Sequence, residues 1–226
     1  MTVLDAGPTP ALSTAMREGS RAEHEDAEGS TFMSELLEGR TSEEGYAAYL
    51  RRLRCVYAAM ETALRARTDD PLVAAVHDPA LERLAAIDAD LDHWAPGAPH
   101  DLAADESPAA AAYVSRLEGA AWGGDLVAHH YTRYLGDLSG GQAIGRVLDR
   151  AFDLDGAGTA FYAFPEIPKP KPYKDAYRAR LDELGLDAAG VARVVDEVKV
   201  AFRLNQALFT ELGERIDAYR RVVPQD

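Results

Sequence analysis

The stretch Tyr131 to Gln142, Tyr-Thr-Arg-Tyr-Leu-Gly-Asp-Leu-Ser-Gly-Gly-Gln, sets a charged pair beside bare backbone. Apolar and aromatic residues recur around it at helical spacing, from Leu126 through Tyr134, Leu138 and Ile144 to Leu148. The same helix carries Gly136, Gly140, Gly141 and Gly145. Each glycine in a helix costs about 1 kcal/mol relative to alanine, so the set must serve a purpose. At about 100° per residue, Arg133, Gly136, Asp137, Gly140 and Ile144 fall on one face. A flat ligand laid almost on the main chain uses such a face, and a kink would open it further. Close helix–helix packing uses it too, and both readings stand at this point.

Three other groups have types and spacing suited to chemistry. His24 and Glu28 lie one helical turn apart, so the carboxylate can orient the ring of a metal-ligating histidine or form an ordinary i, i+4 pair. Arg17 precedes His24 by two turns. Lys174 and Arg178 share a helix face and can clamp a carboxylate. Asn205 is a polar residue at a core position of the last helix, where a buried amide needs partners or sets helix register. Tyr57, Tyr113 and Tyr131 lie on apolar faces, each with a hydroxyl to satisfy. A zinc site of the H-E-x-x-H kind fails because His24-Glu25-Asp26-Ala27-Glu28 lacks the second histidine. A di-iron bundle has only Asp90-x-x-His93 as a near match to its paired Glu-x-x-His motifs.

These residues need helices to hold them. The first is expected from Pro10, with Thr9 as N-cap, to about Ala27. A short one spans Phe32 to Leu37. Thr41-Ser42-Glu43-Glu44 fits a capping box and opens a helix with Tyr46, Tyr49, Leu53, Tyr57, Met60 and Leu64 inward. Its other faces carry Arg51, Arg52, Arg54, Arg65 and Arg67, a solvated face that doubles as a local positive patch for an acidic partner. Asp78-Pro79 and Ser107-Pro108 each start another helix. Pro165 to Pro172 reads as an extended connector before a helix from Tyr173 to about Leu184. The last helix, from Asp187 to about Tyr219, steps by three or four through Val191, Val195, Val198, Phe202, Asn205, Phe209, Leu212, Ile216 and Tyr219. Almost nothing reads as strand, so the fold expected is an all-α globule of roughly eight helices.

The 226 residues, 47% hydrophobic, suffice for one domain, expected over residues 11–222 behind a tail at 1–10. With 38 acidic against 24 basic residues the net charge is −14, which disfavours nucleic acid and anionic membrane surfaces. The single cysteine, Cys55, excludes an internal disulfide framework. No signal peptide or membrane span is read, so a cytoplasmic protein is expected.

The motif at 131–142 resembles the distal-helix signature of the haem oxygenase family without a gap. The resemblance extends through Glu-His-Glu-Asp-Ala-Glu at 23–28, Phe32-Met33, Phe161 to Pro165, Tyr177-Arg178 and Phe202 to Leu212, nearly all of the chain from Leu12 to Leu212. It implies a multi-helix fold with haem b, both substrate and cofactor, between a proximal and a distal helix. His24 would be the proximal iron ligand with Glu28 as its partner. Gly136 and Gly140, with Gly141 beside them, would form the distal face, and Asp137 would organise distal water. Arg133, Tyr57, Tyr113 and Asn205 match positions that extend that network. Arg17, Tyr131, Lys174 and Arg178 match the propionate contacts, and Phe202 and Phe209 the pocket wall. The activity implied is oxidation of haem by O2 to biliverdin, in the family's usual α regiochemistry, with release of CO and ferrous iron. The electrons come from an external donor such as ferredoxin or a flavin reductase. A haem-binding storage or transfer protein shares His24 and the propionate clamp but does not need Asp137 and its polar partners.

Overall fold

A computed structural model describes residues 10–103 and 105–221. The tail at 1–9, Thr9 as N-cap and the chain beyond residue 221 lie outside them. In order the helices are α1 (Leu12–Gly19), α2 (Arg21–Glu28), α3 (Thr31–Leu37), α4 (Glu43–Arg65), α5 (Pro71–Ala74), α6 (Leu84–Trp94), α7 (Pro108–Glu118), α8 (Gly123–Gly136), α9 (Gln142–Phe152), α10 (Pro170–Asp182), α11 (Ala188–Gly213) and α12 (Ile216–Tyr219). A π turn, Asp137–Gly141, joins α8 to α9, and 3-10 turns span Pro79–Leu81 and Ala160–Tyr162. The only strand-like pairing among the described residues is an isolated bridge between Thr41 and Arg220.

The core lies around α4, which packs on α6, α7 and α8, and around α11, which lies along α8 and against α1, α2 and α3. The apolar stripe expected for α4 is buried throughout, and Tyr46, Leu53, Tyr57 and Met60 are fully enclosed. Glu61, itself buried, accepts from the Arg83 and Leu84 amides at 2.6 and 3.1 Å and so satisfies the start of α6.

Several local expectations change. The first helix is broken at Ser20, whose hydroxyl donates to the Met16 carbonyl at 2.7 Å; such back-bonding bends or ends a helix. The break redirects α2, which carries His24. Gly19 sits where a Cβ would lie 2.5 Å from Val195 Cγ1, so α1 approaches α11 closely only through glycine. The α4 cap is Ser42, which accepts from the Gly45 amide, and not Thr41. Gly45 therefore holds the place of the expected glutamate, and no reciprocal box forms. The helix expected from Pro79 is a 3-10 turn followed by α6. Of the four prolines expected in an extended connector only Pro165 and Pro168 lie in it: α10 starts at Pro170 and takes in Pro172. Both occupy the first turn, where a missing N–H leaves no helical bond unmade.

The arginines of α4 are also not a free basic patch. Arg52 is buried and donates to Glu211 Oε1 at 2.7 Å and to the Ala48 carbonyl at 2.9 Å. Arg54 pairs with Asp88 and Asp101, and Arg65 with Glu82 and Glu61. Arg51, and Arg67 just past the helix end, donate to the carbonyls of Pro99 and Ala120.

Candidate functional site

A cleft opens between α2 and α11 on one side and α8 with its π turn on the other. Its outer part has a volume of about 710 Å³ and is lined by Arg17, Glu18, Ser20, Arg21, His24, Tyr131, Thr132, Leu135, Gly136, Ser139, Arg178 and Phe202. That is within the ~300–1,000 Å³ range of small-molecule and cofactor sites. An inner chamber of about 130 Å³ continues from it, sharing His24, Thr132, Gly136 and Phe202 and adding Glu28, Arg133, Asp137, Gly140, Gly141, Ile144, Asn205 and Phe209 among others.

The four glycines divide into two pairs. A Cβ at Gly136 or Gly140 would meet nothing within 4 Å, although the cleft lies beside both. A Cβ at Gly141 or Gly145 would lie 3.1 Å from Tyr162. The first pair therefore leaves open space beside the cleft, and the second permits close packing on Tyr162. The π turn, with its wider i→i+5 winding, falls at this boundary, and such turns concentrate at functional sites.

His24 faces the cleft with its side chain 50% exposed. Phe202 of α11 meets its ring edge-on at 5.3 Å. Glu28 Oε1 lies 3.6 Å from His24 Nε2, a charge-pair distance longer than a hydrogen bond. The half-exposed ring is open to a ligand in the cleft that it lines. The remaining candidates for metal chemistry are committed elsewhere. Asp90 accepts from the Ala160 and Phe161 amides, both at 2.8 Å, so the Asp90-x-x-His93 near match holds a turn. His129 bonds Glu197 and Tyr113, and His130 bonds Tyr177.

Behind the π turn lies a buried polar chain. The Tyr57 hydroxyl donates to Asp137 Oδ2 and accepts from Arg133 Nε at 3.1 Å. Arg133 Nη1 donates to Asn205 Oδ1 at 2.7 Å, and Asn205 Nδ2 donates to the Ala201 carbonyl at 2.9 Å. Asn205 thus has both an acceptor and a donor partner, as its core position demanded. The other Arg133 nitrogen, Nη2, lies 3.6 Å from Asp137 Oδ1. Burial raises the Asp137 pKa above the usual carboxylate range, against the opposing pull of Arg133 and the Tyr57 hydrogen bond. Tyr113, fully buried, reaches His129 Nδ1 at 3.3 Å and continues the polar core toward Glu197.

The mouth is basic in an acidic protein. Arg17 and Arg21 are largely exposed, and Arg178 lines the cleft beside Tyr131. Burial raises the Tyr131 pKa, with Arg178 and Arg17 opposing it. Arg21, one turn beyond Arg17, went unnoticed in the sequence although its i, i+4 relation to Arg17 was visible. Lys174 is not on the wall of the outer cleft. Its ammonium donates to Ser139 Oγ at 2.8 Å, close to the Leu138 carbonyl at 3.4 Å, and so ties α10 to the π turn. Phe202 and Phe209 line the inner chamber.

An all-α protein with one exposed histidine facing a glycine floor, a buried carboxylate below it and cations at the rim is built for a flat ligand with acidic edges. Comparison with known proteins gives that class a family. The family model described as "Heme oxygenase" matches residues 10–211. Human heme oxygenase 1 is 38% identical over 208 residues, covering 90% of this chain and 72% of that protein. Heme oxygenase 1 of Synechocystis sp. is 36% identical over 203 residues, covering 89% of this chain and 84% of that protein. The crystal structure of heme oxygenase-1 from Synechocystis sp. PCC6803 in complex with heme superposes with a TM-score of 0.86 at 36% identity, covering 92% of this chain and 96% of that one. The chain belongs to the haem oxygenase family. It is an oxygenase of haem, with haem as substrate and prosthetic group and electrons from an external donor. No helix among the described residues is long and apolar enough to cross a membrane.

Proposed function

We propose that haem lies in the cleft with His24 as the proximal iron ligand and the Gly136–Gly140 face on the distal side. The observation that carries this is the open space over both glycines in a cleft whose other wall holds His24. The bare backbone lets the distal helix come close to the ring plane, and a side chain at either position would occupy that space. Haem supplies oxygen binding and the ring that is opened to biliverdin, with release of CO and ferrous iron. Every other role falls to the chain's own residues.

Glu28 orients the His24 ring, and Phe202 fixes its tilt. Arg17, Arg21, Arg178 and Tyr131 bind the carboxylates at the mouth; Lys174 joins them by leaving Ser139 or reaches them from it. Phe202 and Phe209 exclude water from the ring faces, while Gly141 lets the turn pack on Tyr162. Asp137 holds a proton beside the distal face and positions water there. Tyr57 fixes one carboxylate oxygen by donating to it, and Arg133, held by Asn205, balances the charge. Tyr113 extends this buried network. Anchoring the carboxylates at one edge would set which edge of the ring faces the distal residues; the α position is the one that the family resemblance implies.

The test supplies haem, a reductant system and O2 to the Asp137→Ala and His24→Ala variants. Asp137→Ala should still bind haem, with biliverdin formation lowered by ~10²–10⁴, the range for a lost general acid. His24→Ala should change the Soret and ligand spectra. Full biliverdin yield without the Asp137 carboxylate refutes its role.

The electron donor is assigned to an acidic protein such as a ferredoxin docking at the cleft mouth. The α4 arginines are held inside the fold, whereas Arg17, Arg21 and Arg178 surround the opening, each paired only with a neighbouring carboxylate of its own segment, Glu18, Glu25 and Asp175. At saturating haem, Arg21→Glu should slow reduction by ferredoxin, most at low ionic strength, by more than it slows reduction by dithionite, which reads any change in haem seating. An unaffected ferredoxin rate removes this face as the docking site.

A further inference from the structure

Three side chains of α6 and its start make contacts that neither the cleft nor its polar chain accounts for. Arg83, at the N-cap, Asp90 and Trp94 follow one another at spacings of seven and four, which sets them along one helix face. All three are buried. Each bonds to the main chain of residues 158–163, which passes α6 in the opposite direction. Trp94 Nε1 donates to the Gly158 carbonyl at 2.6 Å. Asp90 accepts from the Ala160 and Phe161 amides, both at 2.8 Å. Arg83 donates to the Ala163 carbonyl and lies over the Phe164 ring, 4.0 Å from its centre.

Asp90 is the central grip. It is 1% exposed, and a buried carboxylate is costly unless its charge is met. Here two successive amides meet it, one on each oxygen, and bonds to an ionised acceptor are roughly twice as strong as neutral ones. Burial raises the Asp90 pKa, and the Phe161 and Ala160 amides oppose that rise. Closing the turn does not need this group, because Tyr162 already donates to the Thr159 carbonyl at 3.1 Å and Ala163 to that of Ala160 at 3.0 Å. The buried charge adds a fixed place for the turn relative to α6.

The cargo of the turn shows what that place serves. Phe161 meets the Tyr57 ring edge-on, with centroids 5.5 Å apart, and Tyr57 donates to Asp137. Tyr162 lies where a Cβ at Gly141 or Gly145 would come within 3.1 Å of it, so it backs the π turn that carries Asp137. The turn thus bears on Asp137 twice, through its hydroxyl partner and through its backbone.

We propose that Asp90 is a positioning residue for the haem reaction: by fixing the Ala160–Tyr162 turn against α6 it fixes Tyr57 and the π turn, and with them the place of the Asp137 carboxylate. Arg83 and Trp94 hold the two ends of the same segment. Asp90 is not among the residues that line the cleft; it acts through Phe161 and Tyr162. The proposal rests on the part given above to Asp137.

The variants are Asp90→Ala, which removes both acceptors, and the milder Asp90→Asn, which keeps one and turns an N–H toward the other amide. The control is Val73→Ala, a truncation of a buried side chain on α5. With haem, a reductant system and O2, biliverdin formed per folded molecule should fall by about 10-fold in Asp90→Ala, within the ~10² that a displacement of 1 Å can cost. Asp90→Asn should lose less, haem affinity should hold in both, and Val73→Ala should turn over like the parent. A second readout needs no haem. The ¹³C resonance of the Asp137 carboxyl, assigned by its absence in Asp137→Asn, should move in both Asp90 variants and stay in place in Val73→Ala. An unmoved Asp137 resonance overturns the proposal whatever turnover does, and so does an equal turnover loss in Val73→Ala. A moved resonance with full turnover overturns it as well, and takes with it the part given to Asp137.

Discussion

The rod from α8 through the π turn to α9 has an emptied side and a crowded side. On the emptied side Gly136 and Gly140 leave the cleft open. On the crowded side Gly141 and Gly145 sit against Tyr162, and His130 lies against Tyr134 and Tyr177. The same residue type, within ten positions, thus does opposite things: one pair leaves the cleft open and the other closes the space against Tyr162. Glycine in a helix is therefore not diagnostic by itself. What a Cβ would meet decides its meaning, and substitutions on the two sides should fail in different ways.

The largest effect is expected on the emptied side. Gly140→Val starts a branched side chain beside the cleft, at a Cβ position with no protein atom within 4 Å. Turnover of haem should fall by about 10²-fold, the loss typical of a reacting geometry displaced by ~1 Å. Folding stability should stay within about 0.5 kcal/mol of the parent, as for substitutions that leave packing alone. Urea titration beside a biliverdin assay separates the two. A loss of stability matching the loss of activity would make Gly140 a packing residue and erase the contrast.

On the crowded side the order reverses. A Cβ at Gly145 would lie 3.1 Å from Tyr162 Cβ, an atom fixed to its own backbone, and 3.3 Å from the ring. That ring is buried and cannot swing away. Gly145→Ala should destabilise the fold by about 1–3 kcal/mol, the usual scale of overpacking, and leave turnover per folded molecule near normal. The urea midpoint gives the first quantity, and activity corrected for folded fraction the second.

The sequence was most informative where periodicity was long and partners were local. The α4 stripe and the repeat of α11 were legible because each successive side chain meets the same core. The shared face of Arg133, Gly136, Asp137, Gly140 and Ile144 was legible too, and those residues do line one chamber. The π turn was not, because one extra residue per turn leaves the residue types unchanged. The Ser20 break depends on a single hydroxyl rotamer. The α4 arginines were misread as a patch because their acceptors, Glu211 and Asp88 among them, are far away in the chain. The split of the glycines into two pairs likewise needed the position of Tyr162, which comes from a separate turn.

The crowded side also holds the smallest predicted effect, and one that involves no ligand. His130 is buried, bonded to the Tyr177 hydroxyl at 2.7 Å and stacked on its ring. Burial lowers its pKa to about 3, with His77 and Arg180 adding to the effect. An unfolded histidine titrates near pH ~6.5, so the folded pKa lies below the unfolded one. The neutral ring contributes stability that is fully present above the unfolded value and lost as pH falls toward the folded value. Between about pH 7 and pH 5.5 this linkage should remove about 1 kcal/mol. His130→Phe keeps a ring beside Tyr177 but cannot gain a proton. Its stability at neutral pH falls because the Tyr177 hydroxyl loses its partner, yet its decline from pH 7 to 5.5 should be shallower than the parent's by that amount. Equal slopes in urea titrations across this range would mean that His130 gains its proton without leaving the fold, and the crowded side would then be looser than its packing indicates.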